Sequence, residues 1–126
     1  MKYPTKFKKE VKELLTYFEG IAKLDFRGDI LYKSEDIEGR LYDTKTSAET
    51  IINDEYYTAD ILIYPLTLKK WKEDPKSLRE TISHEVSHII TEPLYNLIFQ
   101  TYRSKGEVER IREQTTEKIA RLMQKI

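Results

Sequence analysis

The chain's two histidines stand four residues apart, and a glutamate directly follows the first: His84-Glu85-Val86-Ser87-His88. On a helix, residues i and i+4 lie one above the other, so this spacing lets both imidazoles reach a single metal ion. Zn²⁺ binds neutral imidazole nitrogen well, and catalytic zinc sites use three protein ligands with the fourth position left to water. Glu85 projects beside the pair, where a carboxylate takes a proton from such a water instead of binding the ion. The chemistry implied is metal-assisted hydrolysis, with His84 and His88 as ligands and Glu85 as general base. The plainer alternative is a pair of surface histidines on an amphipathic helix.

Two imidazoles alone hold an ion weakly, and there is neither a third histidine nor any cysteine. A third side-chain ligand must therefore be a carboxylate. Glu92 is nearest in sequence, but on a continuing helix it stands about 12 Å along the axis from His84, out of reach unless the helix breaks. The C-terminal segment offers Glu107, Glu109, Glu113 and Glu117. Of these, Glu109 and Glu113 share a helical stripe with Thr116 and Ala120, whose small side chains permit close approach to the histidine helix. Glu117 falls further to the outside.

The elements that must position these groups can be read from hydrophobic periodicity. Thr5 to Glu19 reads as an amphipathic helix on Phe7, Val11, Leu14, Leu15 and Phe18, ended at Gly20. Strands are expected at 29–32, 49–52 and 58–64, with turns at Gly39 and over 43–47, giving a small, mostly antiparallel sheet. A short helix over 66–73 surrounds Trp71. Asp74 and Pro75 then open the histidine helix, with Leu78, Ile82, Val86, Ile89 and Ile90 as its apolar stripe and Pro93 as its stop. Another short helix is possible within 93–103. The last helix, about 105–125, is expected to turn Val108, Ile111, Ile119, Leu122 and Ile126 to the core. The whole is a single α+β domain over residues 1–126.

In this layout His-Glu-x-x-His followed by a glutamate on the next long helix resembles the gluzincin metallopeptidases. The run Glu113-Gln114-Thr115-Thr116-Glu117-Lys118-Ile119-Ala120-Arg121-Leu122-Met123 is similar to the Glu-x-x-Ala-x-x-Phe-Ala-x-x-Leu segment of ImmA/IrrE-type peptidases. Thr116 and Ile119 depart from its small and aromatic residues. The order of elements also resembles minigluzincin and SprT-like folds. The resemblance implies a zinc metallopeptidase with Glu113 as third ligand, whereas the aminopeptidase branch of gluzincins would select Glu107. It further implies a protein or peptide substrate, with cleavage of a repressor in mobile elements or stress responses as the ImmA/IrrE theme. With both histidines bound to the ion, the developing oxyanion needs a tyrosine or arginine, and Tyr64, Tyr95 and Tyr102 are the candidates. The strand at 58–64 could pair with an extended substrate. The competing function is a catalytically silent metal-binding interaction or assembly module, phage- or mobile-element-encoded. Glu85 speaks for the enzyme, because a purely structural zinc site needs no adjacent base.

Composition narrows the partners. Lys+Arg and Asp+Glu balance at 22 each, which argues against a nucleic-acid or anionic-membrane partner. Lys69, Lys70 and Lys72 around Trp71 form the best basic stripe, and a SprT-like nucleic-acid role would show as salt-dependent binding. Without cysteine, disulfides, thiolate metal sites and cysteine nucleophiles are excluded. No segment has the roughly 18 continuous apolar residues of a membrane span, and Met1-Lys2-Tyr3-Pro4 opens no apolar signal region. The expectation is a cytoplasmic protein of narrow specificity.

Overall fold

A computed structural model describes residues 3–22, 28–33, 46–53, 58–101 and 105–125. Among them, four helices and a three-stranded sheet follow in the order α1 (Thr5–Ala22), β1 (Ile30–Tyr32), β2 (Ala48–Asn53), β3 (Thr58–Ile63), α2 (Pro65–Glu73), α3 (Ser77–Thr101) and α4 (Lys105–Gln124). The expected α+β architecture is present. Gly39 and 43–45, expected as turns, lie outside the described residues, as do Tyr102 and Ile126 and the side chains of Tyr95, Glu107 and Val108.

Phe7, Val11, Leu15 and Phe18 recur at helical spacing and are buried along one face of α1. The helix continues past Gly20, because Ile21 and Ala22 still pack against the core; an interior glycine costs only about 1 kcal/mol in a helix. Opposite α1 lie Ile61 and Ile63 of β3 and Leu78, Ile82 and Val86 of α3. Trp71 belongs to this packing: its ring meets Phe7 edge-on and its indole N–H donates to Glu10. It is therefore engaged inside the fold rather than offered for stacking between the flanking lysines.

The sheet is mixed, with strand order β1-β3-β2. β2 and β3 form an antiparallel pair from Ala48↔Ile63 to Asn53↔Thr58, while β1 runs parallel to β3 over three residues. The most apolar strand, β3, takes the centre and is hydrogen-bonded on both sides. That corrects the expectation that it pairs with substrate: β2 is the edge strand facing the histidine helix. Gly28 admits β1 beside β3, since its φ is +154° and a Cβ there would stand 1.7 Å from the Ala59 carbonyl oxygen.

Two further expectations are overturned on the helices. Pro93 does not stop α3, which continues to Thr101. A proline removes one i→i−4 bond, yet α3 and α4 form the most extensive interface between elements, and packing sustains a helix across such a defect. The core face of α4 is also rotated. Ile111 is 43% and Leu122 62% exposed, and Ile119 is half-buried, whereas Thr116, Ala120 and Met123 are buried. The reason lies across the seam, where α3 presents Ser83, Ser87 and Thr91, all buried. Small residues meet small residues, and the Thr91 and Thr116 hydroxyls hydrogen-bond at 3.0 Å. Each α3 hydroxyl also donates to a carbonyl of its own helix, so the polar seam is satisfied.

Candidate metal centre

α3 and α4 run antiparallel, since Arg79 reaches the Gln124 carbonyl, His84 meets Glu117 and His88 meets Glu113. The i,i+4 spacing on α3 turns both imidazoles to the same side, with Nε2 of His84 and Nε2 of His88 3.1 Å apart. The close seam at Thr116 and Ala120 then brings the glutamates of α4 over the pair. Glu113 places Oε2 3.4 Å from His84 Nε2 and Oε1 3.6 Å from His88 Nε2. Of the sequence candidates whose side chains are described, Glu113 is thus the carboxylate that meets both Nε2 atoms. Glu109 is exposed. Glu92 stays on the unbroken helix and lies near the other nitrogen of His88, with 3.9 Å between Oε2 and Nδ1.

Glu117 does not fall outside, as helical angle alone had suggested. Its Oε2 lies 2.8 Å from His84 Nδ1. An ionised carboxylate only accepts, so Nδ1 carries the proton and the Nε2 lone pair of His84 points at His88. Arg121 lies 3.3 Å from the other Glu117 oxygen and holds that carboxylate in turn.

The facing nitrogens provide a test of whether a cation fits. Without one, His88 must donate Nε2–H to His84, and its buried Nδ1 then makes no hydrogen bond. Each imidazole would be better served by giving its Nε2 lone pair to a cation and keeping its proton on Nδ1, facing Glu117 or Glu92. The spacing is compatible: ligand atoms around a tetrahedral Zn²⁺ with ~2.05 Å bonds stand about 3.3 Å apart, the two Nε2 atoms are 3.1 Å apart, and Glu113 sets one oxygen 3.4 Å from the first and its other oxygen 3.6 Å from the second. Burial beside His84 and Arg112 also pushes the His88 pKa down to about 4, so it is neutral at ordinary pH.

Glu85 is buried beneath the pair, and its carboxylate and the two imidazoles form a group whose ligand atoms lie within 4.8 Å of one another. Its Oε1 accepts a 2.8 Å hydrogen bond from the Thr50 hydroxyl of β2, which also lies 3.0 Å from the Glu85 carbonyl. Burial raises the Glu85 pKa to about 7, against the lowering effects of Thr50 and His84. A cleft opens above, walled by Glu49 and Thr50 on β2 and by Arg112 and Glu113 on α4. Tyr64, one of the expected oxyanion donors, is buried and donates to Glu49 Oε2 at 3.1 Å.

Thr50, Glu117 and Arg112 were not singled out from sequence. A second glutamate four residues after Glu113 was the one available signal for Glu117, because that spacing repeats a helix face. Thr50 and Arg112 had no local signal. No protein-family model, curated protein or solved structure matches the chain. Among the described residues, no helix is long and apolar enough to cross a membrane.

Proposed function

We propose that the chain is a zinc-dependent metallopeptidase in which His84, His88 and Glu113 hold the ion and Glu85 is the general base. The observation that carries this is the convergence of His84 Nε2, His88 Nε2 and the two oxygens of the Glu113 carboxylate at 3.1 to 3.6 Å, with the buried Glu85 carboxylate beside the imidazoles. A bound Zn²⁺ would supply Lewis-acid polarisation of a carbonyl and acidification of water. Glu117 fixes the tautomer of His84, and burial keeps His88 neutral. Thr50 occupies one oxygen of Glu85 and leaves the other to take the proton of the attacking water and pass it to the leaving amine. A pKa raised to about 7 suits both halves of that exchange near neutral pH. The edge of β2, which pairs with no other strand among the described residues, lies beside the cleft and suits an extended peptide added as a further strand.

The test takes two variants. Wild type should hold about one Zn²⁺ per chain, and His88→Ala should lose most of it; stoichiometric zinc surviving that change would refute the two-histidine site. Glu85→Gln should fold and bind zinc yet lose at least ~10²-fold in hydrolysis of a substrate found by peptide-library screening. Equal cleavage by wild type and Glu85→Gln would remove Glu85 as the base and leave the binding-module alternative.

A further inference from the structure

Two arginines meet the carboxylates of the site: Arg121 on the exposed side at Glu117, and Arg112 on the inner side. Arg112, on α4 directly before Glu113, places Nη1 3.4 Å from Glu92 Oε1 and Nε 3.7 Å from Glu113 Oε1. Glu92 in turn faces His88 Nδ1 at 3.9 Å. The chain Glu113–Arg112–Glu92–His88 therefore runs from the imidazole pair down into the α3–α4 seam. Burial increases along it: the side chain of Glu113 is 49% exposed, that of Arg112 28% and that of Glu92 15%. A half-exposed glutamate on a helix surface ordinarily samples several rotamers in water. Here its Oε1 makes an ion-pair contact with Arg112 Nε at 3.7 Å, without a hydrogen bond, and the half-buried Glu92 carboxylate of the neighbouring helix meets the same guanidinium from the other end.

We propose that Arg112 is a positioning residue: its guanidinium spans Glu92 and Glu113 and holds the Glu113 carboxylate over the two imidazoles in the conformation that receives a metal ion. The inference rests on the zinc-site reading above. Arginine suits the task because its planar fork presents several donors in fixed directions and can serve two carboxylates at once, whereas lysine offers a compact point charge on a flexible stem. Glu92 also faces Nδ1 of His88, at 3.9 Å and without a hydrogen bond, so the guanidinium stands between the ligand glutamate and the carboxylate nearest the second imidazole.

Charge alone predicts the opposite sign. A guanidinium close to a divalent cation repels it, so if Arg112 acted only through its charge, removing it would tighten metal binding. Removing a positioning residue weakens binding, by 10–100-fold for groups that orient ligands. Zinc affinity should be measured by competition with a chelating indicator for wild type, Arg112→Gln, Arg112→Lys and His88→Ala, with metal-free circular dichroism to verify folding. The expected result is a loss on the order of 10-fold or more in Arg112→Gln and a smaller loss in Arg112→Lys, which keeps the charge but not the fork. The visible absorption of bound Co²⁺ should also shift in Arg112→Lys, as the carboxylate takes a new position. Tighter or unchanged binding in Arg112→Gln, or wild-type affinity and spectrum in Arg112→Lys, would overturn the proposal. His88→Ala separates the two levels: if it keeps its zinc, the site itself is wrong; if it loses zinc while both Arg112 variants bind as wild type, only the clamp is wrong. Should Arg112→Gln fail to fold, Arg112→Lys decides the matter by itself.

Discussion

The two faces of α3 are built on different principles. Towards α1 and the sheet it turns Leu78, Ile82 and Val86, which join Phe7, Phe18, Ile61 and Ile63 in a closed apolar core. Towards α4 it turns Ser83, Ser87 and Thr91, whose buried hydroxyls are all hydrogen-bonded. The apolar face removes much hydrocarbon from water and carries most of the stability. The polar face buries little, but small side chains let α4 come close, and closeness is what sets Glu113 and Glu117 against the imidazoles. One helix thus separates the task of holding the fold together from the task of setting ligand geometry.

Substitutions on the two faces should separate in the same way. Ile82→Ala opens a cavity in the apolar core, and its unfolding free energy should fall by about 2–5 kcal/mol in urea titration. Zinc affinity per folded molecule should hardly change. Ala120→Leu wedges the polar seam and should cost less stability, about 1–3 kcal/mol, while lowering zinc affinity sharply because both glutamates move with α4. If Ile82→Ala weakened zinc binding more than Ala120→Leu did, the division of labour between the two faces would be wrong.

The part of the site that depends on local spacing was legible in the sequence. His84, Glu85 and His88 fall together because i and i+4 are neighbours on any helix, while the stripe shared with small Thr116 and Ala120 narrowed the third ligand to Glu109 or Glu113, and only the family resemblance favoured Glu113. What depends on how elements meet was not. Thr50 reaches Glu85 from another element, 35 residues away in sequence, and needs the β2–β3 register to get there. Glu117 looked peripheral because an isolated helix gives angles relative to itself, not to its neighbour. The exposure of Ile111 and Leu122 was missed for the same reason: apolar periodicity assigns the core to the greasiest stripe, and here the facing helix offers serines and threonines that select the small one. The strands were legible in place, yet β3 as the central strand could not be told from an edge strand without its partners.

On the polar face itself the carboxylates of α4 should rank by the nitrogen they address. Glu113→Ala removes a donor that meets both Nε2 atoms and should lower zinc affinity the most. Glu117→Gln leaves the three donors in place but weakens the hold on His84 Nδ1, so a loss of 10–100-fold is expected. The variant's amide oxygen can still accept from Nδ1–H, which keeps the loss below that of Glu113→Ala. Isothermal titration with Zn²⁺ gives the order, and a Glu117→Gln effect equal to that of Glu113→Ala would mean that Glu117 binds the metal itself.

The smallest expected effect concerns pH, and it distinguishes the faces without any metal. Burial raises the Glu85 pKa from 4.5 to about 7 and lowers that of His88 from 6.5 to about 4. Glu85 holds its proton more tightly folded than unfolded, so its contribution to stability is fully present below about pH 4.5 and is lost as pH rises to about 7. His88 resists its proton when folded, so its contribution is fully present above about pH 6.5 and is lost as pH falls to about 4. Between pH 4.5 and 6.5 the two slopes oppose each other, each at most about 1.4 kcal/mol per pH unit. Chelator-treated wild type should therefore draw little net pH dependence from the site across this window. Glu85→Gln removes one slope and should lose stability relative to wild type as pH falls from 6.5 to 4.5. His88→Gln removes the other and should lose stability relative to wild type as pH rises from 4.5 to 6.5. Ile82→Ala, on the apolar face, should lower the whole curve without tilting it. Urea unfolding at half-unit pH steps reads all four proteins; parallel curves for wild type and both site variants would mean that neither pKa is displaced in the folded chain.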